Sequence, residues 1–100
     1  MNLDATTDKV KELAANADAL GASIKFAFNG GEGTIFIDGT GSENVVSNED
    51  KEAECTINVD LEVLDGMVSG TMNPMEAFMG GKLKIDGDMG PAMKLSSMFS

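Results

Sequence analysis

Few side chains in this chain could do chemistry: one thiol, Cys55, seven lysines and seventeen carboxylates. Histidine, arginine, tyrosine and tryptophan are all absent. Histidine is the usual proton shuttle near neutral pH, so only a cysteine nucleophile or a carboxylate pair remains as a route to catalysis. A reactive thiol needs a cation close by to form the thiolate. Cys55 instead follows Glu54 and begins an alternation with Ile57 and Val59, which reads as an inward strand position where cysteine is a small hydrophobe. With one cysteine and no histidine the chain has no structural zinc set and no internal disulfide, so no metal, no cofactor and no enzymatic activity is expected.

Two stretches imitate ligand-binding loops. From Asp38 to Glu49 oxygen-bearing residues stand at calcium-loop positions one, three, five and twelve, but Glu43 occupies the position that needs glycine and the flanks read as strands, so a turn is expected. Gly30-Gly31-Glu32-Gly33 resembles a phosphate cradle, yet it joins two strands and has neither the following helix nor the lysine of a P-loop. The run from Glu49 to Glu54 reads as a solvated loop.

The formal net charge is −10. Phosphate backbones are held by clustered cations and base edges are read most often by arginine, so nucleic acid is not expected as a partner. An acidic surface is repelled by anionic membranes, and any membrane contact is expected to be transient at most. No stretch approaches the roughly 20 apolar residues of a span, and Met1-Asn2-Leu3-Asp4 has no cationic leader. A cytoplasmic protein of one domain, residues 1–100, is expected, without a peroxisomal address and not fused to an enzyme. A chain of this length buries only about two-thirds of its unfolded surface, so an internal cavity costs part of a small stability margin and should have a use.

The elements follow from periodicity. Val10, Leu13, Ala14, Ala17 and Leu20 recur at helical spacing, which predicts a helix over 7–20 with Thr6 or Thr7 as cap and Gly21 as stop. Alternation predicts strands over 23–29, 34–38 and 45–48, a fourth marked by Cys55, Ile57 and Val59, and a fifth over 82–86. Asp60 opens a helix through residue 69, Asn73-Pro74-Met75-Glu76 a shorter one, and residues 88–99 a last helix with Pro91 in its first turn. The sum is an α+β fold: a mostly antiparallel sheet with one wet and one covered face.

Seven of the eight methionines, at 67, 72, 75, 79, 89, 93 and 98, lie in the last third of the chain. Methionine is unbranched and polarizable and suits surfaces that must accept apolar ligands of variable shape. In the last helix Met89, Ala92, Met93, Leu95, Met98 and Phe99 spread over more of the circumference than one packing face needs. A ligand, a partner protein or a second copy would cover the surplus. One alternative is therefore a protein-interaction or dimerisation module.

The blocks Lys25-Phe26-Ala27-Phe28, Gly70-Thr71-Met72-Asn73-Pro74-Met75-Glu76-Ala77-Phe78 and Gly81-Lys82-Leu83-Lys84-Ile85-Asp86-Gly87-Asp88-Met89-Gly90-Pro91-Ala92-Met93-Lys94-Leu95 resemble the sterol carrier protein type 2 domain family in order along the chain. So do Val46-Ser47-Asn48-Glu49-Asp50 and Glu54-Cys55-Thr56-Ile57. The resemblance implies five strands covered on one face by helices, with a hydrophobic tunnel between the layers. It also implies binding, with or without transfer, of fatty acids, fatty acyl-CoA or sterols, and it admits lipid-metabolising enzymes as partners. Mapped onto this chain, the tunnel draws on Phe26, Phe28, Leu64, Met72, Met75, Phe78, Met79, Met89 and Met93. Some relatives hold a lipid carboxylate or phosphate with arginine, and here Lys25, Lys82 or Lys84 would substitute. A monomer or weak dimer is expected.

Overall fold

The computed structural model describes residues 2–31 and 33–99, and of residues 30, 74, 75 and 96–99 the backbone only. The elements run α1 (Leu3–Ala15), β1 (Ser23–Phe28), β2 (Thr34–Asp38), β3 (Val45–Ser47), β4 (Cys55–Val59), α2 (Leu61–Val68), α3 (Pro74–Met79), β5 (Leu83–Gly87) and α4 (Met89–Phe99), with a 3-10 turn at Asn29–Gly31 between β1 and β2. Period two carries the strands: Ile24, Phe26 and Phe28 on β1 and Cys55, Ile57 and Val59 on β4 are buried, and the residues between them are not.

The sheet order is β3-β2-β1-β4-β5. The β1–β2, β2–β3 and β4–β5 pairs are antiparallel and the central β1–β4 pair is parallel, so the sheet is mostly antiparallel, as the alternation predicts. The β3–β4 connection must pass over β2 and β1 to reach its place. Residues 48–54 do so on the face away from the helices, where Lys25 pairs with Asp50 at 3.0 Å and Lys51 stands 6.0 Å over the Phe36 ring. The face expected to be wet thus carries a strap, and Phe36 on it is buried. One glycine permits this path: a Cβ on Gly87, at φ +95, would lie 2.6 Å from the Glu54 carbonyl oxygen. Another, Gly39, permits the close approach of the chain after α1, since a Cβ there would lie 2.8 Å from the backbone nitrogen of Leu20.

Helix α1 begins four residues earlier than expected and ends at Ala15. Its cap is Asn2, whose side chain accepts from the Ala5 amide at 2.7 Å. Thr6 and Thr7 are buried and their hydroxyls are engaged elsewhere: Thr7 donates back to the Leu3 carbonyl and Thr6 to Asp65. The helical period persists through Leu20, but Asn44 takes up the backbone there, accepting from the Leu20 amide and donating to the Asp18 and Ala14 carbonyls.

Asp65 ties α1 to α2. Burial raises its pKa, but hydrogen bonds from Lys9 and Thr6 and the Lys9 charge outweigh that and hold it below its usual 3.8. Lys9 also donates to Ser69 at 2.8 Å. A carboxyl depressed in the folded state adds stability that is fully present above its unfolded pKa and is lost as pH falls through the folded value. Asp65→Asn is expected to lower the unfolding free energy by about 1 kcal/mol near pH 7. The gap from the parent protein should close between about pH 4 and pH 2 in urea melts. A gap unchanged across that range would contradict the assignment.

Candidate lipid-binding site

The inner face of the sheet is built in cross-strand rows. Ile35, Phe26, Ile57 and Ile85 form one; Phe28, Val59 and Leu83 form the next; Ile37, Ile24 and Cys55 lie on the other side, ending at Gly87. Under β1, β2 and β4 these residues are fully or nearly fully buried, whereas Leu83 and Ile85 on the edge strand β5 are only half-buried.

The helix layer explains the difference. Helix α2 contributes Leu61, Leu64 and Met67, all buried in one cluster with the central strands. Helix α3 contacts β5 and α4 contacts β5, β4 and β1, and the described side chains these helices bury are Ala77, Pro91, Ala92 and Leu95, of which only the last is large. An alanine projects too little to fill the space above a leucine or isoleucine of the sheet. Of the described large side chains on α3 and α4, Leu95 turns inward, whereas Met79 is 79% and Met93 71% exposed and Phe78 and Met89 are close to half exposed.

The residues expected to line a tunnel therefore fall into two groups. Phe26, Phe28 and Leu64 belong to the buried core, with Met72 packed against it at its margin. Phe78, Met79, Met89 and Met93 lie at the surface of α3 and α4, and the Met75 side chain lies outside the described residues. The sequence reading missed the residues between these groups, Ala77, Leu83, Ile85 and Ala92. The alternation of Leu83 and Ile85 marks them as inward, and only the alanines opposite reveal that they are left half-covered.

The lysines considered as anchors divide likewise. Lys25 pairs with Asp50 on the strap side, and Lys84 is in register with Asn58, on the same outer face, so neither reaches the space under the helices. Lys82 is exposed beside α3. An open groove of about 600 Å³ lies elsewhere, lined by Leu13, Asn16, Ala17, Asp18, Ala19, Leu20 and Lys94, and Lys94 donates to the Leu20 carbonyl at its rim. None of the expected site residues lines it.

The loops that imitate ligand sites are used structurally. Asp38 accepts from both the amide and hydroxyl of Thr40, which hold its carboxyl below the usual range, and Glu49 pairs with Lys51 at 2.6 Å. No group of three or more metal-ligating side chains occurs among the described residues. Nor is any of their helices long and apolar enough to cross a membrane.

A family model described as the SCP-2 sterol transfer family matches residues 3–100. The chain belongs to this family. Sterol carrier protein 2 of Gallus gallus is 45% identical over 76 residues, which cover 75% of this chain and 14% of the relative. Hydroxysteroid dehydrogenase-like protein 2 of Xenopus tropicalis is 37% identical over 98 residues, 92% of this chain and 24% of that protein. The chain thus spans about a seventh and a quarter of these relatives' lengths. The solution structure of sterol carrier protein domain 2 of Helicoverpa armigera superposes with a TM-score of 0.67 at 28% identity, over 96% of this chain and 77% of that one. The five-stranded sheet with its helices is the fold of the sterol carrier domain.

Burial, then the Asp88 and Asp86 charges, push the Cys55 thiol up, opposite to what a nucleophile requires. Maleimide labelling followed by mass spectrometry is expected to find Cys55 protected in the folded protein by more than about a thousandfold relative to the denatured chain. Labelling within minutes at neutral pH without denaturant would show that this thiol is accessible and contradict its place in the core.

Proposed function

We propose that this chain binds lipids such as fatty acids, fatty acyl-CoA or sterols without acting on them chemically. The site is an apolar tunnel between the β4–β5 end of the inner sheet face and the α3–α4 layer, and the setting is the cytoplasm. The observation that carries this reading is the mismatch across the layers: Ala77 and Ala92 stand over a strand whose Leu83 and Ile85 remain half-buried. An alkyl chain laid there would complete the burial of both. Phe26, Phe28, Leu64 and Met72 then form the closed side of the tunnel, with Phe78, Met79, Met89 and Met93 around its mouth. Apolar burial supplies roughly 25 cal/mol per Å², enough for micromolar affinity from a long acyl chain without a polar anchor.

Selectivity would be poor, since one methylene is worth only about 1–3 kcal/mol. The family and the name of the Gallus gallus relative, a sterol carrier protein, support a carrier. The dehydrogenase-like name belongs to a relative four times as long and is not carried over. The absence of histidine and the raised pKa of Cys55 support a binding role without catalysis.

Displacement of a fluorescent fatty acid tests the site directly. Ala92→Leu places three carbons into the space assigned to the ligand, so it is expected to weaken binding about tenfold or more while changing the melting temperature little. In a solidly packed core the same insertion costs about 1–3 kcal/mol. A sharp fall in melting temperature with unchanged binding, or no uptake of the probe by the parent protein, would refute the proposal.

A further inference from the structure

Among the described residues five large apolar side chains are exposed, and four of them, Phe78, Met79, Met89 and Met93, lie on α3 and α4. These helices touch each other and β5, the edge strand farthest from β3, and α4 reaches on over β4 and β1 to α1, so the four side chains lie on the helix face toward the β5 edge. The charge is divided along the same axis. Residues 71–100 contain three lysines and three carboxylates, whereas residues 1–70 contain four lysines and fourteen carboxylates and so carry the whole net charge of −10.

The acidic part has a definite place. Helix α1 packs mainly beside β3 and α2 and meets α4 only along one side, and the 48–54 strap leaves β3 and lies over β2 and β1. At the neutral end Lys82 is exposed beside α3, while Lys94 reaches the other way, to the Leu20 carbonyl. Two of the three carboxylates there already accept hydrogen bonds, Asp86 from Asn58 and Asp88 from the Gly90 amide.

We infer that the α3–β5–α4 end is a docking surface for a lipid–water interface without net charge, a zwitterionic phospholipid bilayer. The four apolar side chains enter the headgroup layer, Lys82 meets lipid phosphates, and the acidic end points away. Methionine and phenylalanine gain by leaving water, and interfacial residence requires only shallow burial. Charge complementarity selects the surface. A bilayer rich in anionic lipid repels the molecule as a whole, while a zwitterionic one does not. The molecule measures 24 Å along its shortest axis, so in this pose much of the acidic end lies beyond the screening length of about 8 Å at physiological salt. This surface adds a membrane contact to the carrier reading and does not require that reading, since the exposed side chains are present without ligand.

The chain has no tryptophan, so single reporters can be placed at both ends: Met79→Trp on α3 and Val45→Trp on β3, at positions 79% and 61% exposed. Each protein is mixed with phosphatidylcholine vesicles carrying brominated acyl chains and floated through a density step. Both are expected to float. The Met79→Trp emission should shift to the blue and be quenched several-fold, and the Val45→Trp emission should stay unchanged. Replacing part of the phosphatidylcholine with phosphatidylglycerol at low salt should reduce the floated fraction.

Failure to float, or equal quenching of both reporters, would overturn the inference. So would a blue shift of Met79→Trp that rises with protein concentration without vesicles, which would assign the surface to a second copy of the chain. A parallel titration with a soluble fluorescent fatty acid separates the two proposals. Uptake without flotation refutes the docking surface and leaves the carrier, and flotation without uptake does the reverse.

Discussion

Everything in this structure answers to one constraint: the apolar inner face of a five-stranded sheet must be kept from water, and the helices available to cover it differ in the side chains they can bring. On β1 and β4 the sheet offers Ile24, Phe26, Ile57 and Val59, and α2 adds Leu61, Leu64 and Met67 to the same cluster. These interlock and are buried, and here the fold draws its stability. Over β5 the facing residues Ala77 and Ala92 leave the last two inward positions half-covered. Burial is thus complete under β1, β2 and β4 and partial on β5, and the proposed lipid site rests on that difference.

Side-chain contacts between distant elements tie α1 to α2 and to the β2–β3 connection. Asp65 joins α1 to α2 through Lys9 and Thr6, and Asn44 fastens the end of α1 to the strand turn. On the opposite face the strap is held by the Lys25–Asp50 pair and by Lys51 over Phe36. By comparison, α3 is six residues long and meets the sheet through an alanine. A cover of that kind can part from β5 at low cost, as entry of an apolar molecule would require.

Much of this was legible in the sequence, and the exceptions have physical causes. Strands announce themselves through period two, so β1, β2 and β4 fall where Ile24, Phe26, Phe28 and Cys55 through Val59 alternate with polar neighbours. The start of α1 was misplaced because Thr6 and Thr7 have the chemistry of caps, but their partners are Asp65, far along the chain, and the Leu3 carbonyl within the helix. Its end was overrun because Asn44, which claims the backbone of residues 14–20, is more than twenty positions away. The parallel β1–β4 pair is likewise a long-range fact with no local signature. The methionines of α3 and α4 were recognisable as a surplus of apolar surface, but a helix with apolar residues around a wide arc does not reveal which of them face the sheet. That Ala92 and Leu95 turn inward while Met89 and Met93 turn out is decided by packing.

The central claim is that the space beneath α3 and α4, above Leu83 and Ile85, admits an alkyl chain. Methyl NMR of the protein titrated with a long-chain fatty acid tests it most directly. The account predicts that the Ala77, Leu83, Ile85 and Ala92 methyl signals shift together and show contacts to the ligand's methylene protons. Signals that move instead at Leu13, Ala17 and Leu20, in the groove at the end of α1, or that do not move at all, would contradict it.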